Sequence, residues 1–397
     1  MGAQTHGPDP RLRVAVVGGS LGGLTAALLL RDFGCTVDVF ERSGARLSGF
    51  GAGIVVHEAT MRYFVERARQ QDGLSVAARA LRFLDTAGHV LHEEPSPYEF
   101  TAWSTLYSSL YRLFGEEHYH HGHALDVLDQ DADCVRVRFE NERVHECDLV
   151  VCADGIGSRA RAQLAPAIEP EYAGYVGWRG TIGASRLGST AAAQLTDAIT
   201  YGVVERSHIL SYPIPSLGGS SDPLLNFVWY RNVAAGEALD ELLVSRSGRA
   251  SSVSLHPGEV QERHLEELRL AAAATLPPAF AEMVAAAVDP FVQVIVDLAV
   301  PAMAYGRICL IGDAAFAARP HAAAGTAKAA ENAWKLLEAL EQEPDPRRAL
   351  AAWEPGQLEL GRRLVDRSRR IGDRYQLTST ADPRDQELRF GLYGPGR

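Results

Sequence analysis

Three carboxylates in this chain stand at or near the ends of apolar runs, with glycine close by. Glu41 closes Thr36-Val-Asp-Val-Phe40, Asp154 follows Leu149-Val-Val-Cys-Ala153 and precedes Gly155, and Asp313 follows Ile308-Cys-Leu-Ile-Gly312. A carboxylate held at a strand end accepts hydrogen bonds from neighbouring hydroxyls, such as a ribose diol or a sugar-alcohol chain. Glycines beside it let backbone approach a bulky anion.

The elements that must position these groups follow from the pattern. Arg13-Val-Ala-Val-Val17 reads as a buried strand. Gly18-Gly-Ser-Leu-Gly-Gly23 turns it into an Ala/Leu-rich helix, Leu24 to Phe33, which Gly34 ends before the second strand reaches Glu41 and Arg42. A strand, glycine turn, helix and strand with an acid about 20 residues on is a dinucleotide cradle. Gly18 allows the tight turn and Gly23 the close helix–strand packing. The helix N-terminus, from Gly19 through Ser20, Leu21 and Gly22, offers N–H groups to a pyrophosphate. Glu41 would repel a 2′-phosphate, so the cradle suits FAD or NAD better than NADP. Ser20 replaces the middle glycine, and the bland alternative is an ordinary strand-to-helix turn. The Asp154-Gly155 pair, read alone, is also only a turn. After Asp313, the run Arg319-Pro320-His-Ala-Ala-Ala-Gly325-Thr326 leads into a long helical stretch to Leu340, with Pro320 suited to a helix start. Asp313 can hold ribityl hydroxyls. The N–H groups near Ala323, Ala324, Gly325 and Thr326 can face the edge of a flavin ring that becomes negative on reduction.

The chain has 397 residues, enough for two or three domains in series. Its net charge of −11 argues against general binding of nucleic acid or anionic lipid. Hydrophobic residues are 46% and charged residues 22%, which excludes a disordered or fibrous chain. Five scattered cysteines make neither a disulfide framework nor a zinc site, and a cytoplasmic setting is expected. Met1 to Pro10 carries no cationic, apolar signal sequence. Val14 to Leu30 is too interrupted to span a membrane, which takes about 20 apolar residues.

Gly18…Glu41-Arg42, Ala153-Asp154-Gly155…Arg161 and Gly312-Asp313-Ala-Ala…Pro320…Gly325 occur in the order and spacing of a known family. Over about residues 11 to 370 the chain resembles single-component FAD-dependent aromatic hydroxylases of the p-hydroxybenzoate hydroxylase fold. Arg319 to Lys328, with Gly177-Trp-Arg-Gly180, narrows the resemblance toward hydroxylases of dihydroxypyridines. The resemblance implies an α/β fold, with a discontinuous Rossmann-like FAD-binding domain, an inserted antiparallel β-sheet substrate domain and C-terminal helices. The expected division is 11–80, 101–171 and 291–343 for FAD, 81–100 and 172–290 for substrate, 344–380 helical, and 381–397 a loosely held tail. It adds Gly53, Leu125 (against the adenine), Asp154 and Arg161 to the FAD contacts. It implies NADH or NADPH as co-substrate, NADH preferred, with O2, a small aromatic substrate and a homodimer. Oxygen transfer would pass through a flavin C4a-hydroperoxide. Three positions depart from the family. Phe316 stands where His is usual, Trp103 where a helix usually begins with Arg, and Ala323 where Gly is usual.

Such a reaction also needs a group to deprotonate the ring, titrating near neutrality. His208 and Tyr212, four apart on a predicted strand, face the same side and are the candidates. Trp178, Arg179 and Tyr230 are candidates for holding the ring. The alternative makes Trp178 and Tyr230 core aromatics and His208 a surface residue. His118-Tyr-His-His-Gly-His123 suggests metal, but strand geometry splits the set over two faces and no acidic or Cys partner is expected nearby, so no metal is expected. A non-catalytic FAD-binding protein is the rival from another class. Flavin halogenases share the fold, but their W-x-W-x-I signature is missing.

Overall fold

The computed structural model describes residues 12–47, 53–216 and 222–397. Met1 to Pro10, read above as lacking a signal sequence, lies outside them. The elements that position the site are, in chain order, β1 (Arg13–Val17), α1 (Leu21–Phe33), β2 (Thr36–Glu41), β3 (Gly53–Val55), the hairpin β4 (Ala80–Leu84) and β5 (Val90–Pro95), α2 (Trp103–Phe114), β6 (Tyr119–His121), β7 (Leu125–Gln130) and β8 (Leu149–Cys152). Then come α3 (Arg159–Leu164), β9 (Glu171–Gly183), β10 (Ala198–Val204), β11 (Ser207–Ile214), β12 (Leu224–Asn232), α4 (Glu262–Thr275), α5 (Pro278–Ala286), β13 (Phe291–Ala299), β14 (Ala304–Tyr305), β15 (Ile308–Leu310), α6 (Gly325–Gln342) and α7 (Pro346–Gln376).

Two sheets carry the molecule. The first has six strands in the order β14-β15-β8-β1-β2-β6, and β1 runs parallel to both β2 and β8. Its strands are apolar without alternation because both faces are covered. Glu41, Asp154 and Asp313 come from stretches distant in sequence, yet parallel pairing brings their strands side by side. Gly34 ends α1 in the left-handed region (φ 107°), as the sequence predicts.

The second sheet has nine strands and is antiparallel apart from the β10–β4 pair. Its residues alternate between two cores. Val176, Trp178, Ile209, Phe227 and Trp229 pack on one face, beneath α4 and α5. Tyr175, Leu210, Tyr212, Val228 and Tyr230 pack on the other. That period of two separates scaffold from site.

The 31-residue α7 lies across α6 and β13. Asn332 on α6 ties this layer to the first sheet. Its side chain accepts the Gly312 N–H (3.0 Å) and donates to Gln357 of α7 (2.9 Å).

The end of the chain corrects the sequence reading. Residues 381–397 are not loosely held: Leu388, Phe390 and Leu392 are buried, and Phe390 joins the core of the second sheet. Composition misled here, because its polar and Gly/Pro residues serve turns between buried side chains. No helix among the described residues is long and apolar enough to cross a membrane.

Candidate active site

The cradle is built as its glycines require. Gly18 has φ +98°, and a Cβ there would lie 2.4 Å from the Ala153 carbonyl oxygen. A Cβ on Gly23 would lie 1.9 Å from the Gly18 oxygen, and one on Gly19 2.1 Å from the Tyr119 hydroxyl. Ser20 precedes α1 without a side-chain capping bond, so the first helical turn keeps its donors for a ligand. Glu41 is buried at the end of β2, accepting the N–H groups of Gly19 and Ser43, each at 2.9 Å. Each of its oxygens keeps a lone pair for a diol. These backbone cavities fit the diphosphate and ribose of FAD. Arg42 points to solvent, and Leu125 is buried at the start of β7.

The other two motifs are braced against each other. Asp154 accepts the Ser158 hydroxyl (2.6 Å) and the Ala160 N–H (3.1 Å), and burial pushes its carboxyl up. Arg161 is buried and donates to the carbonyls of Ala314 (3.1 Å) and Ile156 (2.6 Å). It therefore locks the Asp154 loop to the Asp313 loop rather than offering a free cation. The Asp313 carboxylate is half exposed and pairs with Lys328 Nζ at 3.0 Å. Lys328, fully buried on α6, also donates to the Phe316 carbonyl.

The loop after Asp313 differs from expectation in its helix start. Pro320–Ala322 makes one 3₁₀ turn, Ala323 lies in the left-handed region (φ 55°), and α6 begins only at Gly325. His57 Nε2 donates to the Ala323 carbonyl (2.9 Å), and burial holds its imidazole below its ordinary pKa. Arg319 binds Asp297 on β13 through Nε and Nη2 (2.8 to 3.0 Å) and Asp373 on α7 through Nη1 (2.8 Å). The departures also have structural uses. Phe316 is a core residue against α7, where a Cβ on Gly361 would come within 2.3 Å of its ring. Trp103 stacks on Tyr107 (4.7 Å, 10°) at the start of α2 and lines the cleft.

One cleft of about 410 Å³ runs from Asp313, Ala323, Gly325 and Thr326 to Arg179, His208 and Tyr230. Arg179 is buried, and its Nε makes no hydrogen bond. Burial pushes the Tyr230 hydroxyl up to about 12, against the opposing pull of Arg179. His208 is wholly buried, with its ring between Tyr230 (4.7 Å, 25°) and Tyr375 (4.0 Å, 22°). Burial first, and then His321, hold its pKa well below the usual imidazole value. The Gln376 amide nitrogen lies 2.9 Å from His208 Nδ1. In this amide orientation Nδ1 accepts, and Nε2 carries the proton.

Three expected roles change. Trp178 does not reach the cleft; it lies in the opposite core, because adjacent strand residues face opposite sides and Arg179 faces the cleft. Tyr212 does reach it, but its hydroxyl donates to the Gly53 carbonyl (2.8 Å), its ring stacks on Phe100, and burial raises its pKa. It seats Gly53 in the cleft wall, its hydroxyl proton committed to that carbonyl. His208 is neither a surface residue nor a group titrating near neutrality. Sequence reasoning also missed His57, Tyr375, Gln376 and the role of His321, whose Nε2 lies 2.7 Å from the Tyr175 hydroxyl. Burial, then Arg319, lowers His321 to about 3. His321 stood inside a quoted motif, but only folding brings Tyr375 and Gln376 to the sheet.

The histidine run differs from the sequence reading in its surroundings. An acidic partner is present after all: His118 and His120 both bind Asp38 (3.1 and 2.8 Å). Among the described residues no group of three or more ligating side chains could hold a metal.

Residues 11–198 match an FAD binding domain model, and residues 172–297 match an FAD binding domain-like model. The chain is 39% identical to a 2,6-dihydroxypyridine 3-monooxygenase of Paenarthrobacter nicotinovorans, over 96% of each chain. It is 29% identical to a 3-amino-4-hydroxybenzoate 2-monooxygenase of Streptomyces platensis, over 94% of this chain and 91% of that one. The solved 2,6-dihydroxypyridine-3-hydroxylase from Arthrobacter nicotinovorans superposes with TM-score 0.93 at 38% identity, covering 98% of this chain and 99% of that one. With its cradle, its two further loops and these relatives, the chain belongs to the FAD-binding class A flavoprotein monooxygenases, which hydroxylate aromatic compounds.

Proposed function

We propose that this enzyme hydroxylates an electron-rich, hydroxylated heteroaromatic ring bound as its anion, using NADH or NADPH and O2. The best candidate conversion is 2,6-dihydroxypyridine to 2,3,6-trihydroxypyridine, a step of nicotine breakdown. Arg179 carries this reading: a buried guanidinium whose Nε lacks a partner, set in the cleft wall, calls for a bound anion. The 39% identical relative supports the choice of ring.

Bound FAD would take reducing equivalents from the nicotinamide and activate O2. The chain's own residues do the rest. Gly18 to Gly23 and Glu41 would hold the diphosphate and ribose, and Asp313, steadied by Lys328, would hold the ribityl chain. The N–H groups of Ala324 to Thr326 would face the ring edge, the Ala323 N–H being taken by the Pro320 carbonyl (2.9 Å). Arg179 neutralises the substrate anion and so favours the deprotonated ring, which is the more electron-rich form. His208, neutral with its proton on Nε2, is a hydrogen-bond donor to a ring oxygen rather than a base. The aromatic walls exclude water. On this reading the segments 11–80, 101–171 and 291–343 serve FAD, and 81–100 with 172–290 serve the substrate.

Arg179 would equally pair with a carboxylate, so a hydroxybenzoate- or salicylate-type substrate is the second reading. The test mixes purified FAD-loaded protein with NADH or NADPH and a panel of dihydroxypyridines and hydroxybenzoates. The true substrate accelerates nicotinamide oxidation and gains one oxygen in mass. Acceleration only with hydroxybenzoates would replace the first reading by the second.

A further inference from the structure

Leu388 and Phe390 reach the cleft from beyond the last long helix. The Phe390 ring packs on Tyr98 (4.9 Å), and its N–H donates to the Tyr98 hydroxyl (3.2 Å). The Gly391 N–H donates to the Ala322 carbonyl (3.1 Å), tying this segment to the loop that carries Ala323 to Thr326. A Cβ on Gly391 would lie 1.9 Å from the Gly394 oxygen, so the turn closes around a glycine. Buried Arg367 on α7 donates to the carbonyls of Gly391 (2.9 Å), Glu387 (3.4 Å) and Arg389. Arg389 is paired with Glu94 of β5 (2.6 Å), and Arg374 with Asp385. Hydrogen bonds from a charged donor are roughly twice as strong as neutral ones, so a guanidinium shared among three carbonyls is a strong tether.

We propose that residues 386–392 form the closing wall of the ring pocket, with Phe390 selecting the ring and Arg367 latching the wall shut. The inference rests on the reading of the cleft as a ring-hydroxylation site. The wall has a chemical use there. In a coupled turnover, ring–H + O2 + NADH + H⁺ gives ring–OH + NAD⁺ + H2O. Where water reaches the site, O2 + NADH + H⁺ gives NAD⁺ + H2O2, and the ring is unchanged. A fixed apolar wall favours the first outcome by exclusion.

The experiment compares FAD-loaded wild type with Phe390→Ala, Phe390→Leu and Arg367→Gln. Iodide quenching of flavin fluorescence, measured without any substrate, reads the wall directly. It should rise several-fold in Phe390→Ala and Arg367→Gln and stay near wild type in Phe390→Leu. The dissociation constant of 2,6-dihydroxypyridine, titrated anaerobically on the oxidised enzyme, should rise by about tenfold or more in Phe390→Ala, the scale of a lost apolar contact in a pocket. Product formed per NADH should fall, with H2O2 making up the difference. Wild-type quenching, affinity and coupling in Phe390→Ala would overturn the proposal. Should wild type hydroxylate no ring in the panel, that sinks the substrate reading, while quenching still decides the wall.

Discussion

Arg179 is the residue on which the substrate argument turns. Its neighbour Trp178 has the bulk and chemistry of a ring-binding side chain, yet faces a dry core. Replacing Arg179 with Met should raise the KM for the anionic ring by at least about tenfold, since a desolvated charge contact is worth about 2 kcal/mol or more. FAD uptake should be unaffected. Steady-state kinetics with a parallel flavin titration checks both, and an unchanged KM would remove the anion site. His208 yields a second expectation. Its imidazole stays neutral far below its ordinary range, so it does not switch charge between about pH 6 and 8. His208→Asn should lower kcat/KM without moving the pH profile. A displaced limb of that profile would restore the base assignment.

Ala323 sits in the left-handed region, which costs an L-residue about 1–2 kcal/mol. Glycine would relieve that but give the unfolded chain about 0.4–1 kcal/mol of extra freedom. Ala323→Gly should therefore raise the unfolding free energy by between about 0 and 1.6 kcal/mol, read by urea denaturation of the FAD-free protein. Gly361 on α7 behaves differently. Alanine there gains up to about 1 kcal/mol of helix propensity but drives its methyl into the buried Phe316 ring, and such overpacking costs about 1–3 kcal/mol. Gly361→Ala should be net destabilising. Adding Phe316→Leu should recover part of the loss, which the same denaturation series would show. The Phe316 departure and Gly361 are thus two halves of one contact, invisible to either motif alone.

Across the whole molecule, His57, His145, His208 and His321 are all held below their ordinary imidazole pKa by burial. Each stays neutral in the fold but protonates in the unfolded chain once pH falls below about 6.5. The unfolded state then binds more protons, so stability is full above that pH and is lost as pH drops toward the folded values, about 3 for His321. Thermal midpoints should fall between about pH 7 and pH 5, and His321→Gln should flatten that fall. An unchanged slope in the variant would show that other groups set it.

Local features are legible in the chain itself: a strand, a turn or a cap is decided within a few residues, and a phosphate cradle is such a unit. Glycine at 18 and 23 and an acid at 41 have few other physical uses at that spacing, and all three motifs could be read before the fold was seen. The expectation for Trp178 failed against a rule also legible there, since neighbours on a strand cannot share a face. Tertiary structure alone decided the cleft's far wall. Tyr375 and Phe390 reach it, and Gln376 reaches His208, from helix and tail segments well over a hundred residues beyond His208, by helix packing that no short-range pattern encodes. Charge states were decided there too, because the cost of burying an imidazole depends on what surrounds it.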